Sequence, residues 1–196
     1  MKTLFWFRRD RRIQDNLALK LAAEASSELH TLFVFPQWLQ SRSPLRQHSI
    51  LQSAKSLDAS LPGGLSVNTG NSADAIASYC KDHEIDKVFA TRGFDTSGIA
   101  VQGEVEQELA RLGVELELVD SYYAVTPGTI RKDDGSPLKV YTPFYKRWHL
   151  NGWDAPAALD TSSVNWAPAK VSRWFEPTGS APFSVKAGEA RALETF

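Results

Sequence analysis

The sequence predicts a doubly wound α/β fold: a five-stranded parallel sheet with helices on both faces, Rossmann-like, followed by an irregular extension that contains proline and tryptophan. Two observations predict it. Short apolar runs alternate with amphipathic stretches from residue 3 to residue 119. Each run is separated from the next by a stretch long enough for a helical crossover, so neighbouring strands pair in parallel and the crossovers wind right-handed.

The elements follow in order. Residues 3–7 (TLFWF) form a buried strand ended by charge. Asp15 and Asn16 can cap a helix that places Leu17 and Leu21 on one face. Residues 29–35 (LHTLFVF) are a second strand, stopped by Pro36. Pro44 opens a second helix with Ile50, Ala54, Leu57 and Leu61 in register, ended by residues 62–64 (PGG). Residues 65–68 are a short third strand. Ser72 can cap the next helix, whose apolar stripe is Ala73, Ile76, Ala77 and Cys80. Residues 87–91 (KVFAT) are the fourth strand. Residues 101–113 are a helix through Val101, Val105, Leu109 and Leu112 with Gly113 as its stop, and residues 114–119 are the fifth strand. The core is expected to hold Phe7, Phe33, Val34, Val67, Val88 and Leu118.

Periodicity then fades. Asp134-Gly135 reads as a hairpin turn, with Thr142 as cap and Pro143 as first residue of a further helix. Trp153, Trp166 and Trp174 lie among Pro156, Pro168, Pro177 and Pro182; free linkers are poor in tryptophan, so this segment reads as a tail pinned to a surface. Between Val185 and Phe196, Ala187, Ala190, Leu193 and Phe196 recur every three residues, which opens a helix too short to persist without a partner and expected to be frayed or held only by a neighbouring molecule.

Net charge is −1, which gives no global attraction to nucleic acid or membrane. A single cysteine excludes an internal disulfide and a Cys-based zinc site, and fits a reduced, cytoplasmic setting. Cys80 falls on a core face and reads as an inert packed thiol. The four histidines have no metal spacing, and no nucleophile–base pair is recognisable.

The chemistry-bearing feature is the turn after strand one, WFRRDRRIQDN, in which Arg8, Arg9, Arg11 and Arg12 surround Asp10. Ligands of doubly wound sheets bind beyond the carboxyl ends of the strands, where this turn lies. It has no glycine, which excludes a dinucleotide fingerprint or a P-loop here. Alone, the turn reads either as a solvated charged loop with Asp10 offsetting its neighbours, or as a face for anions or carboxylates across a domain contact.

Residues 6–19 (WFRRDRRIQDNLAL) and 140–148 (VYTPFYKRW), with SPLR at 43–46, resemble the photolyase/cryptochrome family. The resemblance implies an α/β domain at residues 1–130, a hairpin and helix extension of it at 131–150, and a linker at 151–196 toward a helical FAD-binding domain that these residues do not include. It implies light-driven repair of damaged DNA by the whole protein, with the chain alone inactive. The whole protein would be a monomer without membrane attachment, and its partners would be damaged DNA and its own helical domain. A cryptochrome-type light-signalling protein is the alternative, ahead of a free-standing nucleotide-binding module. The resemblance also implies an antenna pocket, for which Arg9, Phe33, Phe35, Arg46 and Asp95 are candidates; strand packing is the other reading of the two phenylalanines. Arg8, Arg9, Asp10 and Arg12 would face that pocket or the helical domain. Folate-type members place an Asn-Glu pair where this chain has Ser97 and Gly98, so a deazaflavin- or flavin-type antenna, or an empty pocket, is expected ahead of a folate. Arg11 stands where the family usually has an apolar residue.

Overall fold

A computed structural model describes residues 1–181 and 187–194. Five strands form one sheet in the order β3-β2-β1-β4-β5: β1 (Lys2–Phe7), β2 (Glu28–Pro36), β3 (Ser66–Gly70), β4 (Lys87–Thr91) and β5 (Glu115–Val119). Every pairing is parallel. The crossovers are α1 (Leu17–Glu24), α2 (Pro44–Ser60), α3 (Ser72–His83) and α4 (Thr96–Arg111).

The period-two alternation of the strands divides the core in two. Phe5, Phe7, Leu29, Phe33 and Phe35 point to one face and pack with Leu19 of α1 and Leu51, Ala54 and Leu57 of α2. Leu4, Trp6, Leu32, Val34, Val88 and Ala90 point to the other and pack with Ile76, Tyr79 and Cys80 of α3 and Val105 and Leu109 of α4. Of the expected core residues, Phe7, Phe33, Val34, Val67 and Val88 are buried, and Leu118 packs partly buried against the second cluster. The chain winds outward through β2 and β3, then crosses to β4 on the opposite side of β1. The switch point therefore lies between the carboxyl ends of β1 and β4.

Three helix starts differ from the expectation. Asn71, not Ser72, caps α3, its side chain accepting from Ala73 N at 2.7 Å and Asp74 N at 3.2 Å. Helix α4 begins five residues before Val101, because the Asp95 carboxylate accepts from Gly98 N at 2.6 Å. A further helix, α5 (Tyr141–Asn151), starts with Val140 at its cap position and no side-chain cap; Thr142 and Pro143 sit inside its first turn. Proline is tolerated there because first-turn N–H groups have no helical partner anyway. At the expected hairpin, Gly135 N donates to Lys132 O at 2.9 Å and Gly135 takes φ +78°, a left-handed conformation that suits glycine.

After α5 the chain becomes a strap. Ala157 N donates to the Asp15 carboxylate at 3.0 Å. Leu29 N donates to Asn165 O and Ala167 N to Leu29 O, each at 2.9 Å. Val67 N donates to Val171 O at 2.8 Å and Arg173 N to Val67 O at 2.9 Å. Trp174 and Phe175 then close over Phe35, with ring centroids at 6.1 and 5.7 Å. Gln47, fully buried on α2, exchanges hydrogen bonds with Thr178 N at 2.7 Å and Thr178 Oγ1 at 3.0 Å. The terminal helix α6 (Glu189–Leu193) corrects the expectation of an unheld end. Glu189 anchors it to the turn before α1, while Leu193 stays exposed. Val185 and Phe196, also part of that expectation, lie outside the described residues. Among the described residues no helix is long and apolar enough to cross a membrane.

Candidate functional site

Four arginines in five positions are tolerable because β1 ends by sending them to different places. Arg8 turns back over the Trp6 ring at 4.7 Å, on the α4 side of the sheet. Its guanidinium donates to Thr91 O and Gly98 O, each at 3.0 Å, and to Gln102 Oε1. Arg11 turns to the opposite side, over the Phe33 ring at 5.5 Å, and donates to Ser53 Oγ of α2 and to Arg8 O, each at 3.0 Å. Arg9 pairs with Asp95 at the cap of α4. Arg12 reaches Asp15 O at 2.8 Å and lies 3.7 Å from the Asp15 carboxylate.

Asp10 is the hub. It is 5% exposed and accepts from Arg8 N at 3.1 Å, from the Thr91 hydroxyl, and weakly from Asn16 Nδ2 at 3.5 Å. Arg8 and Asp10 together bolt the end of β1 to the end of β4 across the switch point. Gly93 leaves room for this: a Cβ there would stand 3.2 Å from both Arg8 Nη1 and Gln102 Oε1.

The electrostatics follow from burial. Desolvation holds the Arg8 and Arg11 guanidiniums below the ordinary arginine value, with nearby Tyr122 and Asp10 opposing the shift. Their side-chain hydrogen bonds all go to neutral oxygens, and Asp10 is the carboxylate that acts on both. The Tyr122 hydroxyl is pushed well above its usual range by burial and then by Asp10. A backbone hydrogen bond with Arg9 partly opposes that rise, while Arg12 Nε finds no hydrogen-bond partner among the described residues. Asp95 is held down at about 2, first by the Ser97 hydroxyl, then by the Gly98 N–H.

The structure brings Arg8, Arg9, Asp10, Arg12 and Asp95 to one edge. It does not bring the other candidates there. Phe33 and Phe35 are core residues, 3% and 1% exposed, in edge-to-face contact with each other at 4.8 Å. Arg46 lies near the start of α2, where its guanidinium and that of Arg42 flank the half-exposed Trp38 at 5.6 and 5.4 Å. Ser97 and Gly98 sit in the first turn of α4 and supply no acid. Sequence reasoning missed Thr91, Gln102, Tyr122 and Tyr123; Tyr123 meets Phe94 edge to face at 5.7 Å, making an aromatic rim beside Asp95. The loop SYY at 121–123 was the available signal: two tyrosines directly beyond a strand's carboxyl end.

The class is thus a doubly wound α/β domain with a cationic, glycine-poor edge at its switch point. A sequence model of the DNA photolyase family matches residues 3–161. The chain belongs to the DNA photolyase family. It is 30% identical over 163 residues to a deoxyribodipyrimidine photo-lyase of Alkalihalophilus pseudofirmus, covering 79% of this chain and 34% of the relative. Cryptochrome-2 of Arabidopsis thaliana is 25% identical over 152 residues, 74% of this chain and 25% of its own. The crystal structure of a class III photolyase from Agrobacterium tumefaciens superposes with a TM-score of 0.73 at 25% identity, covering 89% of this chain and 37% of that one. The chain spans about a third of the length of the curated photo-lyases it matches.

Proposed function

We propose that the chain is the antenna-side domain of a deoxyribodipyrimidine photo-lyase, which splits cyclobutane pyrimidine dimers in DNA by electron transfer from reduced FAD held in a helical domain outside these residues. The match of residues 3–161 to the photolyase family carries the reading. On this reading residues 1–130 are the α/β domain, 131–150 extend it, and 151–196 lead toward the helical domain. The protein acts as a cytoplasmic monomer. The aromatic face of α5, where exposed Tyr141 stacks on Tyr145, half-exposed Trp148 lies tilted beside Tyr145 and no side chain is buried, is the surface we assign to that domain.

The flavin supplies the electron when bound; this chain supplies a positioned, charged edge. An antenna of deazaflavin or flavin type suits that edge better than a folate. The Arg8 and Arg11 guanidiniums donate to neutral acceptors, and Arg12 Nε is a buried donor without a partner among the described residues, which suits an anionic planar ligand. A pterin calls for a free carboxylate, whereas Asp95 is committed to Ser97, Gly98 and Arg9. Of the antenna candidates, Arg9 and Asp95 lie on this edge. Phe33 and Phe35 would floor a pocket only with Trp174 and Phe175 displaced, and Arg46 would join from the start of α2.

The 25% identity to a cryptochrome supports a second reading, a blue-light signalling protein of the same architecture. One experiment separates the two. The full-length protein is purified, its chromophores are extracted, and dimer loss is followed under blue light. Light-dependent repair is the expected result; bound FAD without repair would favour the cryptochrome. A stoichiometric folate would overturn the antenna assignment. The 196-residue chain mixed with FAD is expected to retain no flavin after gel filtration and to repair nothing.

A further inference from the structure

The turn that carries the arginines also carries an anion seat. The Glu189 carboxylate lies across two consecutive backbone N–H groups, with Ile13 N on Oε2 and Gln14 N on Oε1, both at 2.8 Å. Two charge-assisted bonds to one carboxylate, from donors that belong to no helix or strand, are the geometry by which backbone grips an oxyanion. The landing is shaped for it. Gly188 abuts α2 so closely that a Cβ would stand 2.0 Å from Ser56 Oγ, and its φ of +121° is one that side chains resist. Ser53, one turn earlier on the same face of α2, holds the Arg11 guanidinium, so a cation on neutral acceptors faces this side. The neighbouring Asp15 ties down the other end of the strap through Ala157 N.

We propose that Ile13 N and Gln14 N form an oxyanion-binding site, that Glu189 is its built-in occupant and latches the strap, and that inorganic phosphate or a phosphate monoester takes the same seat when Glu189 is withdrawn. The segment so latched is the one whose Trp174 and Phe175 cover Phe35. The proposal does not depend on which chromophore the protein carries or on whether it repairs DNA.

The test is amide hydrogen exchange on the 196-residue chain. Glu189→Gln keeps the shape but removes the charge and one acceptor. It is expected to speed exchange at Ile13 and Gln14 about tenfold, while Leu32 and Val34 in the sheet stay protected and show that the variant is folded. Inorganic phosphate added to Glu189→Gln is expected to restore protection at Ile13 and Gln14; chloride at matched ionic strength is not. Gly188→Ala, which displaces α6 by contact rather than by charge, is expected to show the same loss and the same rescue. Unchanged exchange in Glu189→Gln overturns the latch. Failure of phosphate to protect, or equal protection by chloride, overturns the oxyanion site and leaves a purely intramolecular cap. If phosphate protects and a monoester such as glycerol phosphate does not, the site is for the free ion.

Discussion

Replacing Asp10 by asparagine tests whether one buried carboxylate holds the switch point together. Asp10 receives two close hydrogen bonds, from Arg8 N and the Thr91 hydroxyl; the Asn16 contact at 3.5 Å is too long to count for much. Net contributions to an ionised acceptor run at about 1.5–3 kcal/mol each, roughly twice those of neutral pairs. The asparagine keeps the shape and can keep the Arg8 bond, so about half of each term is lost, on the order of 2 kcal/mol. Asp10→Ala would orphan both donors beside two half-buried guanidiniums and cost about 3–5 kcal/mol. Urea unfolding reads the difference directly: with a slope of about 2 kcal/mol per molar, Asp10→Asn should lower the midpoint by about 1 M at unchanged slope. Thr91→Val completes a double-mutant cycle, with an expected coupling of about 1.5 kcal/mol or more. A cost of less than about 0.5 kcal/mol for Asp10→Asn, or additive single mutants, would show that the turn is held by the arginines' own contacts and refute the hub.

Gly63→Ala would drive a Cβ to 2.3 Å from Ala167 O, against backbone that cannot rotate away, and should cost about 2 kcal/mol in the same assay; a neutral outcome would mean the strap is not seated there. Burial pushes the Cys80 thiol up to about 12 from 9.0, so at pH 8 a maleimide should label it only after unfolding; stoichiometric labelling of the native protein would contradict this. Asp95, held at about 2 against an ordinary 3.8, favours the folded state above about pH 4, and this contribution is lost as pH falls toward 2. Ser97→Ala removes its largest cause, so a carboxyl NMR titration should move upward; an unmoved midpoint would assign the effect to the Gly98 N–H and Arg9 instead.

The strands were legible because their signal is local: each is a short apolar run closed by a proline, a glycine or a charge. Helix starts were less so. The α4 cap reads Asp95-Thr96-Ser97-Gly98, and a glycine three residues after an aspartate resembles a loop until the carboxylate is seen on the Gly98 N–H. The charged turn could be found in the sequence but not solved there. Its partners Thr91, Gly98 and Gln102 lie 83 to 94 residues away, and nothing local says that Arg8 and Arg11 leave by opposite faces. The strap's tryptophans announced a pinned segment. What they could not announce was the route, which is set by backbone hydrogen bonds to Leu29 and Val67 that carry no side-chain code.

That route bears on where this domain ends. The sheet is complete by Val119 and the last long helix by Asn151, so a boundary drawn from secondary structure would fall near residue 151. Yet β3 is an outermost strand, and Val67 spends its N–H and its carbonyl on the strap. Cut before residue 157, the domain would present a bare strand edge beside Leu29, Phe35 and Val67, three apolar side chains now buried. Such an edge templates pairing with a second molecule. The shorter piece should therefore be the aggregating one, and a unit that stays in solution is expected to need the sheet together with the irregular chain that runs along its side.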